Sequence, residues 1–154
     1  MNYMIDGVKV KQLKVNCDER GNLFEVLRSD DEMFIKFGQA YVTTSYPGVI
    51  KAWHMHKNQF DQMCVIVGRV KFVLYDAREN SSTYGEINEL FFGDQNRMLV
   101  QIPPGVYHGF KNIGIDECIV LNIPTEVYQH TSPDEYRLDP QDKKIPYTWA
   151  RHDG

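Results

Sequence analysis

In the stretch GVIKAWHMHKNQFDQMCVIVG, residues 48–68, His54 and His56 stand two apart in an apolar, β-branched run with a glycine at either end. On a strand that spacing turns both imidazoles to one face, because side chains alternate with period two. Asp61 follows at the head of the next apolar run, and the turn Pro103-Pro104-Gly105 of PPGVYHGF delivers His108 onto another. Two antiparallel hairpins would gather all four side chains in one cavity. Three imidazoles and a carboxylate suit a divalent transition metal, whose borderline-soft character matches nitrogen and oxygen donors. They equally suit proton transfer, because imidazole titrates near neutrality. A third reading has His56 and Asp61 only hydrogen-bonding across the interior. The residues alone leave all three open.

Such a cavity needs strands to line it. Candidates are VKVKQLKV (8–15), NLFEVLR (22–28), QAYVTTSY (39–46), IKAWHMH (50–56) and QMCVIVG (62–68). RVKFVLYDAR (69–78), RMLVQIP (97–103), YHGFKNI (107–113) and ECIVLNIP (117–124) follow. Short runs rich in Val, Ile, Tyr and Phe, bounded by Gly, Pro, Asn and Asp, predict an all-β sandwich or barrel. No long segment of helical period competes. Gly68 can supply positive φ for a tight hairpin, so QMCVIV and RVKFVLY are expected to pair antiparallel. In the second of them Val70, Phe72 and Leu74 mark one buried face. From Gln129 onward the chain turns rich in Pro and charge, which reads as an irregular flap over the sheet anchored by Tyr136, Tyr147 and Trp149. A chain of 154 residues can bury a core without staples, so one domain over 1–154 is expected, with its core at about 8–124 and the flap at 125–154.

The composition, 42% hydrophobic and 25% charged with a net charge of -4, is that of a soluble globular protein. Without a basic stripe, nucleic acid is not an expected partner, and an anionic ligand must be met by a few local Lys or Arg. Cys17, Cys64 and Cys118 are far apart and odd in number, which suggests neither a disulfide framework nor a zinc knuckle. The N-terminal MNYMIDGVKVKQLKV has neither an apolar signal core nor a stretch of transmembrane length, so no membrane association and a cytoplasmic location are expected.

The histidine stretch resembles the first motif of the cupin superfamily, G-x5-H-x-H-x4-(acid)-x6-G, through Gly48, His54, His56, Asp61 and Gly68. Pro103, Gly105, His108 and Asn112 match its second motif, P-x-G-x2-H-x3-N, although Arg97 stands where a glycine is usual. The resemblance implies a double-stranded β-helix, or jelly roll, with its site in the barrel mouth.

Most of the chain further resembles the dTDP-4-dehydrorhamnose 3,5-epimerase family, a metal-free cupin branch. DERGNLFEV is similar to its D-x-R-G-x-F-x-E element through Asp18, Arg20, Gly21 and Glu25. QAYVTTSYPGVIKAWH shares Gln39, Ser45, Gly48, Val49 and His54 with a second segment, while Tyr41, Thr43 and Lys51 stand where Asn, Ser and Arg are usual. YDARENSSTYGE is similar through Asp76, Arg78, Ser81, Thr83 and Gly85, IPPGVYHGF through His108, and the closing segment through Glu135, Asp139, Pro140, Ile145 and Trp149.

This resemblance implies an isomerase that removes a proton next to the C4 ketone of a nucleoside-diphosphate 4-keto-6-deoxyhexose, without a cofactor or metal. A positioned base takes the proton while a cation or donor stabilises the enolate oxygen. Position for position, the base is His54, held by Asp139, with Lys51 for the enolate oxygen or a phosphate. Gln39, His56, His108 and Asn122 fall at substrate-binding positions. Lys51 lies an odd number of residues before His54, so both reach the site only if a bulge intervenes. The resemblance also implies a homodimer in which the N-terminal strand is exchanged and Arg20 and Glu25 enter the partner's site. Arg20, Lys51 and Arg69 would meet the diphosphate.

Two positions depart from the family. Its catalytic lysine aligns with Asp61, and its proton-donating tyrosine aligns with Asn122, leaving Tyr128, Tyr107 or water to donate. His56 replaces a Gln, and the resulting H-x-H pair is also found in the sugar-nucleotide 3,4-ketoisomerases. The same residues would also fit a metal-dependent cupin using His54, His56, Asp61 and His108, or a sugar-nucleotide binder without activity.

Overall fold

The computed structural model describes residues 3–154, and among them there is no helix. The strands are β1 (Lys9–Gln12), β2 (Val15–Asp18), β3 (Gly21–Phe24), β4 (Tyr41–Ser45), β5 (Ile50–Met55) and β6 (Asp61–Val67). They continue with β7 (Arg69–Asp76), β8 (Ile87–Gly93), β9 (Met98–Ile102), β10 (Val106–Asn112), β11 (Cys118–Asn122) and β12 (Tyr136–Arg137). One sheet has the order β1-β9-β6-β11-β4 and the other β12-β5-β10-β7-β8, with β2–β3 a separate hairpin. All pairings are antiparallel. Inward side chains of both sheets form one core, Val65, Val100 and Val120 from the first meeting Val70, Phe72, Leu74 and Phe92 from the second. This is the jelly roll expected from the sequence.

The hairpin expected at Gly68 does not form. β6 lies between β9 and β11, whereas β7 lies between β10 and β8 in the other sheet. Gly68 turns the chain from one layer to the other with φ near +90°, and a Cβ there would come within 2.8 Å of the Cys118 Cβ. A glycine turn has the same local signature whether the next strand joins the same sheet or the facing one. The segment 8–15 also breaks. Its first half pairs with β9, Leu13 is buried, and its end enters the exposed β2–β3 hairpin.

In β7, Val70, Phe72 and Leu74 enter the core as expected, but Lys71 and Val73 on the other face are buried as well. The C-terminal tail covers that face. Ile145 and Trp149 pack with Trp53 and Val73 in a second apolar cluster. The Lys71 ammonium donates to the Ala150 carbonyl at 2.9 Å, and Tyr147 stands edge-on to Trp53 while its hydroxyl donates to Glu89. Tyr136 stays at the rim beneath the Lys57 ammonium, 4.4 Å from its ring centre.

The turn after β7 closes around Asp76, which is fully buried. Its carboxylate accepts from the Arg78 Nε and Nη2 at 2.8 Å each, and from the Ser81 and Thr83 hydroxyls at 2.6 Å each. Burial alone would favour the neutral acid, but these donors outweigh it and hold the carboxyl well below its usual range.

Candidate active site

A cavity of 780 Å³ opens between the two sheets, a size typical of small-molecule sites. The sheet that carries β5 and β10 contributes Lys51, His54, His56 and His108. The facing sheet contributes Tyr41 and Thr43 from β4 with Asp61 and Met63 from β6, and the tail adds Glu135 and Arg137.

His54 Nδ1 lies 3.3 Å from Oε1 of Glu135, and Glu135 also accepts from Arg137 Nη2 at 2.9 Å. The expectation that Asp139 backs His54 is therefore corrected. Asp139 is exposed and spends its carboxylate on the Gln141 amide, capping the turn before Pro140. Glu135 reaches the site because the short strand β12 pairs with β5, Arg137 opposite His54. Burial, and next the neighbouring His108, push His54 down to about 4, against the pull of Glu135. At neutral pH the ring is uncharged, and with Nδ1 turned to Glu135 its Nε2 is the basic nitrogen.

His56 and His108 converge on Asp61 across the barrel. Both Nε2 atoms meet the same carboxylate oxygen, at 3.0 and 2.9 Å, and Gln59 donates to the other oxygen at 2.9 Å. The second nitrogen of His56 donates to the Asp134 carbonyl. With acceptors at both nitrogens, this ring is suited to the imidazolium form. Burial opposes that charge, but the bond to Asp61 outweighs it and raises the His56 pKa. Burial also opposes the Asp61 charge, and the bonds from His108 and His56 reverse the balance and lower its pKa. His56, Asp61 and His108 form a set close enough to share a metal ion, with His54 outside it.

Lys51 reaches the cavity through a slip in strand register. His54 pairs with His108 and Lys51 with Phe110, so three steps on β5 face two on β10. The extra residue shifts the alternation and brings Lys51 to the same face as His54. Gly109 accommodates the slip, since a Cβ there would lie 2.3 Å from the Ala52 Cβ. The Lys51 ammonium donates to the Thr44 carbonyl at 2.6 Å.

Gln39 lines the cavity and accepts from the Tyr128 amide. Asn122 does not reach the cavity, because it is buried behind Tyr41, to whose hydroxyl its amide donates at 2.8 Å. Arg20 pairs with Asp18 at the tip of the β2–β3 hairpin, and Glu25 pairs with Arg28. Neither lines the cavity of its own chain, and Arg69 lies outside it as well.

The sequence profile of the dTDP-4-dehydrorhamnose 3,5-epimerase family matches residues 2–153. The chain belongs to the dTDP-4-dehydrorhamnose 3,5-epimerase family. It is 42% identical over 146 residues to the spore coat polysaccharide biosynthesis protein SpsL of Bacillus subtilis (strain 168), covering 95% of this chain and 97% of that one. Its fold matches the crystal structure of a dTDP sugar isomerase from Desulfovibrio desulfuricans G20 with a TM-score of 0.91 and 31% identity, over 97% of this chain and 94% of that one. It also matches a dTDP-6-deoxy-D-glucose-3,5-epimerase of Legionella pneumophila Philadelphia 1, solved in complex with dTDP-4-keto-L-rhamnose. There the TM-score is 0.83 and the identity 26%, over 97% and 81% of the two chains.

Within this epimerase family the chain's departures prove to be paired in space. Asp61, read against a family lysine, is bonded at 3.0 Å by His56, read against a family Gln. Tyr41, at a family Asn position, is in register with Asn122, at the family Tyr position. Sequence reading misses Glu135 as the partner of His54, along with Arg137 and Tyr41. Glu135 belongs to the closing motif, but nothing local announces that the two-residue strand beside it docks on β5.

Proposed function

We propose that this protein is an isomerase of nucleoside-diphosphate 4-keto-6-deoxyhexoses and that His54 removes the proton next to the C4 ketone. The observation that carries this reading is the placement of His54, backed by Glu135 at 3.3 Å and lining a cavity of 780 Å³. Its Nε2 accepts the proton, and the C–H electron pair moves into the enolate. Glu135, 3.3 Å from Nδ1, supports the imidazolium that forms. Lys51 and Arg137 are the cations on the cavity wall for the enolate oxygen and the diphosphate. The complex of the Legionella relative with dTDP-4-keto-L-rhamnose supports a nucleotide-linked keto sugar as ligand.

The test is incubation in deuterated water with dTDP- and UDP-linked 4-keto-6-deoxyhexoses. Deuterium is expected at C3 or C5 with wild type and not with His54→Asn, and wild type that exchanges neither position in any of these sugars overturns the reading.

The meeting of His56, Asp61 and His108 favours a second, metal-dependent reading. A near-stoichiometric ion in protein purified without a histidine tag, lost on His56→Ala, decides for it. The β2–β3 hairpin, with Val15 and Leu23 exposed, fits insertion into a second copy of the chain, and a dimer mass in solution is expected.

A further inference from the structure

We propose that Tyr41 is the acid that delivers the second proton of the inversion, to the sugar face opposite His54. This rests on the isomerase reading and adds a residue on another strand to it. Inverting a carbon requires a proton to leave one face and another to arrive on the opposite face. His54 hangs from β5 in one sheet and Tyr41 from β4 in the facing sheet, and both line the same cavity.

The hydrogen bonds around Tyr41 leave its proton free. The Gln62 backbone N–H can only donate, and it gives its bond to Asn122 Oδ1, which fixes the orientation of the Asn122 side chain. Asn122 Nδ2 is thereby turned to Tyr41, whose oxygen accepts at 2.8 Å. The phenolic proton is not used in that bond and has no acceptor among the described residues. The same amide can stabilise the phenolate once the proton has left.

The other tyrosines fit less well. Tyr107 faces outward into the cluster around Trp53, and Tyr128 packs edge-on to His130, 4.9 Å between ring centres, with its hydroxyl in no described hydrogen bond. Burial, then the Asp61 carboxylate, push the Tyr41 hydroxyl up to about 12, so it carries its proton across the neutral range. An enolate carbon is a far stronger base than a phenolate, so the transfer runs downhill.

The step balances. His54 Nε2 takes the first proton as the C–H pair becomes the enolate double bond. That pair then takes the Tyr41 proton on the other face and restores the ketone. The phenolate regains a proton from solvent, and His54 returns its own to solvent.

Solvent exchange and inversion can be read separately. Exchange needs only His54, which can return a solvent deuteron to the face it came from, whereas inversion needs the donor opposite. With dTDP- and UDP-4-keto-6-deoxyhexoses in deuterated water, Tyr41→Phe is expected to keep exchange within roughly fivefold of wild type while inversion falls on the order of 10²-fold or more. Tyr41→Phe/Asn122→Tyr, which returns the phenol to the family position, is expected to recover inversion. Inversion at the wild-type rate in Tyr41→Phe overturns the proposal, as does an equal fall of exchange and inversion. Wild type without any exchange overturns the isomerase reading and this one with it, and is told apart from the other outcomes by that silence.

Discussion

Two aspartates, Asp61 and Asp76, are sealed from solvent and kept ionised by hydrogen bonds that outweigh burial, yet they serve different ends. Asp76 is held by a guanidinium and two hydroxyls, groups whose charge is constant across the neutral range, and it closes a turn. Asp61 is held by two imidazoles, groups that can both donate and accept a proton, and it lines a cavity. The degree of burial and the direction of the pKa shift do not separate a fastening from a working site. The chemistry of the partners does.

The largest effect expected from breaking this contrast is on rate. His54→Asn, on the Asp61 side, should lower turnover by roughly 10²–10⁴-fold while the urea midpoint hardly moves. Asp76→Ala should do the reverse, costing on the order of 2 kcal/mol in urea unfolding because it leaves the half-buried Arg78 guanidinium and the Ser81 and Thr83 hydroxyls without their acceptor, with turnover of the folded fraction retained.

Glu135→Gln comes next, with a loss on the order of tenfold in kcat, smaller than that of His54→Asn because it acts through the ring it orients. His54 works as a base only when deprotonated, above its pKa. With that pKa at about 4, kcat/KM should hold flat well below pH 6.5 and fall only towards pH 4. Removing Glu135, which raises the pKa, should move the fall no higher.

The two carboxylates should also part company in alkali. Both pKa values are lowered, so each contributes stability above the unfolded carboxylate range and loses it as pH falls through the folded value. His56 is raised, so its bond to Asp61 contributes fully below about pH 6.5 and is lost as pH rises through the folded value. The stability gap between wild type and Asp61→Asn should therefore narrow from pH 6 to pH 9, while the gap to Asp76→Asn stays level in the same urea titrations. The smallest effect is expected at Asp139→Asn, with kcat within about twofold of wild type, since its carboxylate caps a turn.

Much of this contrast is legible in the residues. Short β-branched and aromatic runs between turn residues mark nearly every strand, and the H-x-H spacing with Asp61 and His108 points to the cluster that the barrel assembles. β8 escapes notice because Asn88 and Glu89 interrupt its apolar run, and Asn88 is buried to bond the Ile5 amide rather than to fill the core. The partners of β6 and β7 are not legible, since Gly68 announces a turn and not the layer that receives the next strand. Parity shows that Lys51 needs a bulge to join His54, and the slip opposite Gly109 supplies one. Glu135 is hidden as a support for His54 because the tail has no periodicity, and its position depends on a pairing with a strand about eighty residues earlier. Tyr41 looks like a mismatch to a motif until the register sets it beside Asn122.

The pairing of β12 with β5 also sets an order of assembly. The barrel strands are complete by Asn122, but Glu135 comes thirteen residues later on the chain. A nascent chain can close its barrel and display His54 before the group that orients this imidazole has left the ribosome. Folding and readiness to react are thus separable, and the second waits for β12 to pair with β5.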